Sequence, residues 1–379
     1  MSSVGGAPGQ RESRFKRLLL PGLAFKAVVI GGGYATGREI AEFFLPAGPW
    51  GGLAAMVLAT AIWSAVCVAT FLFARATQAH DYRAFFKGLL GRGWIAFEIA
   101  YGLFVVLLLA VFGAAAGEIA HRTLGLTPIL GTVALMIGIA GFAAFGNASV
   151  ERLFAWVSVL LYGVYAVFLV LALTSFGDRI AAAFAQPAAG GGNWLEGGLT
   201  YASYNIIGAI VILPVTRHLS SDRDAVVAGL IAGPLAMLPA LMFFTCMTAF
   251  LPGIASEALP SDFLLGQLGQ PLFHGLFQLM IFAALLESGT GAVHAINERI
   301  AAAWQHRRGV PPAVPVRAAI TLVLLVLCML VADRIGLIAL IANGYRLLAY
   351  VLIALYIVPL LTLGLWRLRA GRRSLGENA

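Results

Sequence analysis

The sequence predicts an all-α polytopic membrane protein. Ten transmembrane helices form a five-plus-five inverted repeat, and helices 1 and 6 are discontinuous. Three observations carry this expectation. Of 379 residues, 60% are hydrophobic and only 11% charged, against about 45–50% and about 25% in soluble domains; mean hydropathy is +0.91. Lysine and arginine fall overwhelmingly on one side of a ten-span threading. Two apolar segments at matching places in the two halves are interrupted by glycine and polar residues.

Ten apolar stretches are candidate spans, where crossing a bilayer takes about 20 residues. They run from about Leu18 to Leu45, Trp50 to Ala74, Trp94 to Ile119, Pro128 to Phe145, Leu153 to Phe176, Leu195 to Val215, Ala225 to Leu251, Pro271 to Ile296, Val316 to Val331 and Gly336 to Leu365. This divides the chain into an N-terminal tail (1–17), one transmembrane domain (18–366, repeats at about 18–176 and 195–366) and a C-terminal tail (367–379). With the N-terminus inside, only Arg122, Arg179 and Arg334 of the 25 Lys and Arg residues fall in outside loops. Lys26, Arg38 and Arg346 fall within spans, and all others are cytoplasmic. This bias sets orientation and predicts a multi-pass membrane protein with both termini in the cytoplasm. The net charge of +8 then belongs to cytoplasmic loops and not to a nucleic-acid surface. The basic N-terminus before an apolar run resembles a signal peptide, but the run is too long and glycine-broken, and reads as a retained first span.

Between the spans, "AHDYRAFFKGLLGRG" is basic and amphipathic and reads as a helix lying on the cytoplasmic surface. "GDRIAAAFAQPAAGGGNW" reads as an outside helix followed by a flexible hinge, and "PGIASEALPSDF" as an outside loop. Cys67, Cys246 and Cys328 lie far apart in apolar stretches and read as buried small hydrophobes. No HExxH, nucleophile elbow, phosphate loop or CxxC pair occurs, so no enzyme is predicted.

The first span contains "VVIGGGYATGREI", residues 28–40. A break at Gly31, Gly32 and Gly33 frees backbone groups at membrane depth, which is costly unless something pairs with them. Freed carbonyls suit a cation, and the half-helix N-terminus near Thr36 and Gly37 suits a carboxylate. The sixth span, "GLTYASYNIIGAIVILPV", is interrupted by a polar run from Thr200 to Asn205 and by Gly208. A shift of about 170 residues places Tyr34 on Tyr204 and Gly37 near Gly208, and an odd number of spans inverts the second half. Inverted repeats with discontinuous helices in matching positions are a transporter architecture. The predicted substrate site therefore comprises Gly31, Gly32, Gly33, Tyr34, Thr36, Gly37, Tyr201, Tyr204, Asn205 and Gly208. Glu287, halfway along the eighth span, is an intramembrane acid and a functional candidate by default. It either couples protons or neutralises Lys26, Arg38 or Arg346. Lys26, before the break, stands in for a bound cation or snorkels to the surface.

"GGGYATGREIAEFF", "TYASYNIIGA" and "ESGTGAVHAINERI" resemble the YkvI-type bacterial membrane proteins, within the amino acid–polyamine–organocation transporter superfamily. The resemblance spans about Leu18 to Arg367; Lys26 departs from the family pattern. It implies a LeuT-type fold and the transporter class but no substrate; the expectation drawn from the whole sequence is a secondary transporter of a small amino acid or related organic solute. The alternative it leaves open is a ligand sensor like the germinant receptors that share this fold. By the same resemblance, Ser288 and Thr290 would join the Gly31 or Gly32 carbonyl around sodium, and Arg38 and Glu39 would close an outer gate. The implied partners are a small solute and the bilayer. The coupling ion, sodium or a proton, would be the only bound cofactor, and oligomeric state is not addressed.

Overall fold

The computed structural model describes residues 13–30, 32–145, 147–186, 191–310 and 312–376, and these hold helices and turns but no strand. The first segment is three short helices: α1 (Leu20–Val29), α2 (Gly32–Ala35) and α3 (Arg38–Phe43). Long α4 (Gly48–Thr77) follows, then α5 (Tyr82–Leu90) and α6 (Trp94–Leu124). α7 (Pro128–Phe145) and α8 (Asn147–Ala185) complete the first half. The second half opens with another broken segment, α9 (Trp194–Asn205) and α10 (Ile207–Val211). It continues through α11 (Asp222–Thr248), α12 (Pro260–Leu268), α13 (Pro271–Arg308), α14 (Val314–Ile335) and a last helical segment, Leu337–Ala370.

Local chemistry fixes these ends. Asp81 caps α5 by accepting from the Arg83 and Ala84 amides, and Ser221 with Asp224 forms a capping box on α11. α4 ends on Gln78 in the left-handed conformation. Two segments between the predicted spans turn out otherwise. The outside helix predicted after the fifth span is the continuous end of α8, because its alanine-rich sequence extends the helix without a stop. The "PGIASEALPSDF" loop folds in part into α12, started by Pro260 in its first turn.

Among the described residues, seven helical stretches are long and apolar enough to cross a membrane, and Pro128–Phe142 is a shorter apolar helix. Ten spans result only when that helix and the two broken segments are added. Exposed apolar side chains such as Val57, Leu103, Ile137, Leu279 and Val323 face outward, as a lipid-embedded surface requires.

The packing shows the inverted symmetry. Broken α1 lies against α11, and broken α9 against α4, while α4 and α11 pack along each other. In the same way α6 touches α14, and α13 touches α7. These contacts between the halves recur with the halves exchanged, the pattern an inverted repeat demands. Small residues let α4 and α11 approach: a Cβ on Gly229 would sit 2.6 Å from the Val68 backbone, and one on Gly233 2.6 Å from the Thr60 carbonyl. Gly229→Ala should therefore cost about 1–3 kcal/mol by overpacking, read as a lowered thermal-unfolding midpoint in detergent. Gly102→Ala, with open space around it, should leave the midpoint unchanged.

Candidate functional site

The first break is built by a short run of unusual backbone. α1 ends when Ile30 leaves helical space (φ −83°, ψ 65°). α2 lasts one turn, and Gly37 (φ +77°) reverses the chain into α3. Gly37 also has no room for a side chain, since a Cβ would lie 2.4 Å from Phe243. The second break is shallower. The polar run Thr200–Asn205 stays helical, and the chain only turns at Ile206 before α10.

A cavity of about 330 Å³ opens between these breaks. Ala27, Val28 and Val29 of α1, Tyr34 of α2 and Glu39 of α3 form one wall. Tyr204 and Asn205 of α9 face them, with Ile207 and Val211 of α10. α13 contributes Glu287 and Ser288, α6 contributes Tyr101, Phe104 and Phe112, and the last segment contributes Tyr345. The Tyr204 hydroxyl donates to Glu39 Oε2 at 2.5 Å, and the Tyr204 ring stacks on Tyr345 with centroids 4.5 Å apart. Tyr34 is 1% exposed, and its hydroxyl has no hydrogen-bond partner among the described residues. An enclosed polar atom without a partner is rare in a folded protein and marks a position where a ligand or water completes it.

Six of the sequence-predicted residues thus meet in one cavity: Tyr34, Glu39, Tyr204, Asn205, Glu287 and Ser288. Gly32 and Gly33 open α2 beside it; Gly31 lies outside the described residues. The others go elsewhere. Tyr201 is buried in an aromatic cluster with Phe44, Phe43 and Trp63, because its position on α9 faces α4. Gly208 makes room for Phe25, whose ring would lie 3.1 Å from an added Cβ, so it serves α1–α10 packing. The α3 N-terminus does not present a free anion site. Thr36 Oγ1 accepts from the Arg38 amide, and the Thr36 carbonyl accepts from the Ser261 amide at the start of α12. Lys26 lines a different, apolar pocket of about 250 Å³ with Tyr165, Phe243 and Met242, so it does not neutralise Glu287 within the central cavity.

Arg38 and Glu39 part company, since adjacent helix positions point about 100° apart. Glu39 enters the cavity. Arg38 turns away to Glu42 (2.6 Å) and to the carbonyls of Ala255 (2.7 Å) and Glu257 (2.9 Å). Its partners are therefore not Glu287 but the acid one turn along its own helix and the loop before α12. Arg346 approaches Glu196 at 3.6 Å. Ser288 and Thr290, two apart on α13, cannot share a face. Ser288 reaches the cavity, whereas the Thr290 hydroxyl donates to the Leu286 carbonyl of its own helix. The hydroxyl pair expected around sodium does not converge. Sequence reasoning missed Tyr101 and Tyr345. Tyr345 carried a signal, the Asn343-Gly344 pair, where the last segment widens into π-helix over Leu340–Tyr345. Tyr101 carried none.

The broken helices and exchanged packing define a class, the polytopic membrane proteins with the LeuT-type transporter fold, and solved structures share it. The chain aligns with MhsT in complex with L-phenylalanine at a TM-score of 0.57 and 17% identity, covering 91% of this chain and 89% of that one. It aligns with a Na⁺-coupled sialic acid symporter in a substrate-bound outward-open state at 0.60 and 14%, covering 91% and 81%. A manganese transporter of Eremococcus coleocola aligns at 0.54 and 16%, covering 95% and 81%. At these identities the likeness establishes the fold. No protein-family model matches the chain. Among curated proteins it is 23% identical over 340 residues, 88% of this chain and 92% of the relative, to the uncharacterized membrane protein YkvI of Bacillus subtilis (strain 168).

The Arg38–Glu42 pair is largely buried, with side chains 5% and 18% exposed. Removing one partner of such a pair costs about 3–5 kcal/mol, and replacing both with apolar residues costs far less. Arg38→Met should accordingly lower the thermal-unfolding midpoint sharply, and adding Glu42→Met should restore part of the loss.

Proposed function

We propose that the chain is a secondary transporter that moves a small organic solute, an amino acid or a related compound, across a bacterial inner membrane by alternating access. The observation that carries this reading is the central cavity: it lies between the two helix breaks and gathers Tyr34, Glu39, Tyr204, Asn205, Glu287 and Ser288 in an otherwise apolar wall. Such a site, concave and apolar with a few convergent polar groups, is the form a small-solute pocket takes. Solved structures of this fold belong to proteins named for an amino acid complex, a sialic acid symporter and a manganese transporter, which supports transport over catalysis.

We place both termini in the cytoplasm on the distribution of Lys and Arg. The cavity then opens inward. It runs along α1 and α10, where Val28 and Val211 are partly exposed. The outer end is closed by Arg38 on Glu42 and the loop carbonyls, and by the Ser261–Thr36 bond. Rocking the bundle of α1, α4, α9 and α11 against the remaining helices would exchange the two openings. Coupling falls to sodium or to a proton. Ser288 and the carbonyls at the α1 break are the groups for the first, and the intramembrane carboxylates Glu39 and Glu287 for the second.

Purified protein reconstituted in vesicles should accumulate members of a radiolabelled panel of amino acids and amines above empty vesicles, driven by an imposed sodium or pH gradient. Tyr204→Phe removes the hydrogen bond to Glu39, and bonds to charged groups are worth about 1.5–3 kcal/mol. Uptake at limiting solute should fall by about tenfold or more while the variant stays monodisperse. Solute binding without flux under any gradient would replace the transporter reading with a sensor.

A further inference from the structure

We propose that the cavity is built for an organic cation, a protonated amine that lacks an α-carboxylate, and not for a zwitterionic amino acid. The inference rests on the reading of this cavity as the solute site and narrows its chemistry.

The charge of the lining is one-sided. Glu39 and Glu287 both line it, and its described residues include no lysine, arginine or histidine. The basic groups nearest in sequence or fold are committed elsewhere. Arg38 is held by Glu42 and two loop carbonyls. Arg346 faces Glu196, and Lys26 lines the apolar pocket on the other side of α1. The Arg299 guanidinium lies over the rings of Tyr82 and Tyr101, 3.7 and 3.4 Å from their centroids. Glu39 is 5% exposed and accepts one bond, from the neutral Tyr204 hydroxyl. Glu287 makes no hydrogen bond or ion pair among the described residues. Two carboxylates in a membrane-embedded cavity without an internal counter-ion are costly unless an entering group supplies one.

The rest of the wall fits the same guest. Tyr34, Tyr204 and Tyr345 line the cavity alongside Phe104 and Phe112, and aromatic faces attract ammonium groups; Tyr101 already holds Arg299 on one ring face. The carboxylate of an amino acid would meet the field of both glutamates, with only neutral hydroxyl, amide and backbone donors to receive it. A bare divalent metal would use the carboxylates but leave the aromatic wall without a function, and no cluster of three metal-ligating side chains of His, Cys, Asp or Glu occurs among the described residues.

The test uses matched pairs that differ by one carboxylate. Full-length protein in detergent at pH 7.5 is titrated calorimetrically with phenethylamine against L-phenylalanine and with cadaverine against L-lysine. Manganese chloride is titrated in parallel, and the same compounds are followed as uptake in vesicles. At least one amine should bind about tenfold or more tightly than its amino acid. Glu287→Gln should weaken that binding by about tenfold or more while keeping the wild-type unfolding midpoint. If Glu287→Gln does not fold, the paired comparison on the wild type decides alone. Amino acids binding as well as or better than the amines would overturn the inference, and their uptake would leave the transporter reading standing. Binding of manganese alone, or of none of the probes, would also overturn it. Amine binding without amine uptake would support the cation site while sinking the transporter reading.

Discussion

Inside a bilayer no water pairs with backbone amides and carbonyls, so a helix can break only where other protein groups or a guest take over its hydrogen bonds. The architecture around the first segment follows from that constraint. Gly37 donates back to the Tyr34 carbonyl, Thr36 caps the Arg38 amide through its hydroxyl, and the Thr36 carbonyl receives the Ser261 amide. The last of these comes from α12, far along the chain. α12 and the break itself are thereby one unit. Moving α12 away, as the proposed exchange of openings requires, would break the bond from the Ser261 amide to the Thr36 carbonyl, a cost of about 1–3 kcal/mol for a buried group that entering water would offset.

The break also sorts charge. A single step along α3 sends Arg38 outward to Glu42 and the loop carbonyls and Glu39 inward to Tyr204. Arg38 thus finds its partners away from the cavity, on Glu42 and the loop before α12, and the cavity keeps the acid. Glu287 on α13 adds a second acid from the helices that do not break. A group that binds both acids would bridge α3 and α13, and such differential contact is what allows a solute to bias one packing over another.

Much of the fold was legible in the sequence because membrane helices are written in local terms: apolar length, loop charge and glycine interruptions. The exchanged packing of α1 on α11 and α9 on α4 follows from the repeat that Tyr34 and Tyr204 marked. What the sequence could not give were facts about facing. Gly208 and Tyr201 share the suspicious second segment with Tyr204, yet they pack on Phe25 and Phe44. Whether a residue faces the cavity or a neighbouring helix depends on where the chain turns, and Ile206 turns it later and less than the polar run suggested. Arg38 and Glu39 read as a pair because they are adjacent, and helix geometry separated them. Tyr101 and Tyr345 enter the site from segments whose relation to the breaks is purely tertiary.

The most direct measurement of the central claim, a cavity open along α1 and sealed beyond α3, is the sidedness of Ser288→Cys labelling. Ser288 lines the cavity, while the native Cys67, Cys246 and Cys328 are buried. In vesicles of known orientation, a charged, membrane-impermeant methanethiosulfonate should label the introduced cysteine from the cytoplasmic face, and Arg38→Ala should admit it from the outer face as well. Labelling of Ser288→Cys from the outer face alone, or from neither face, would contradict the account.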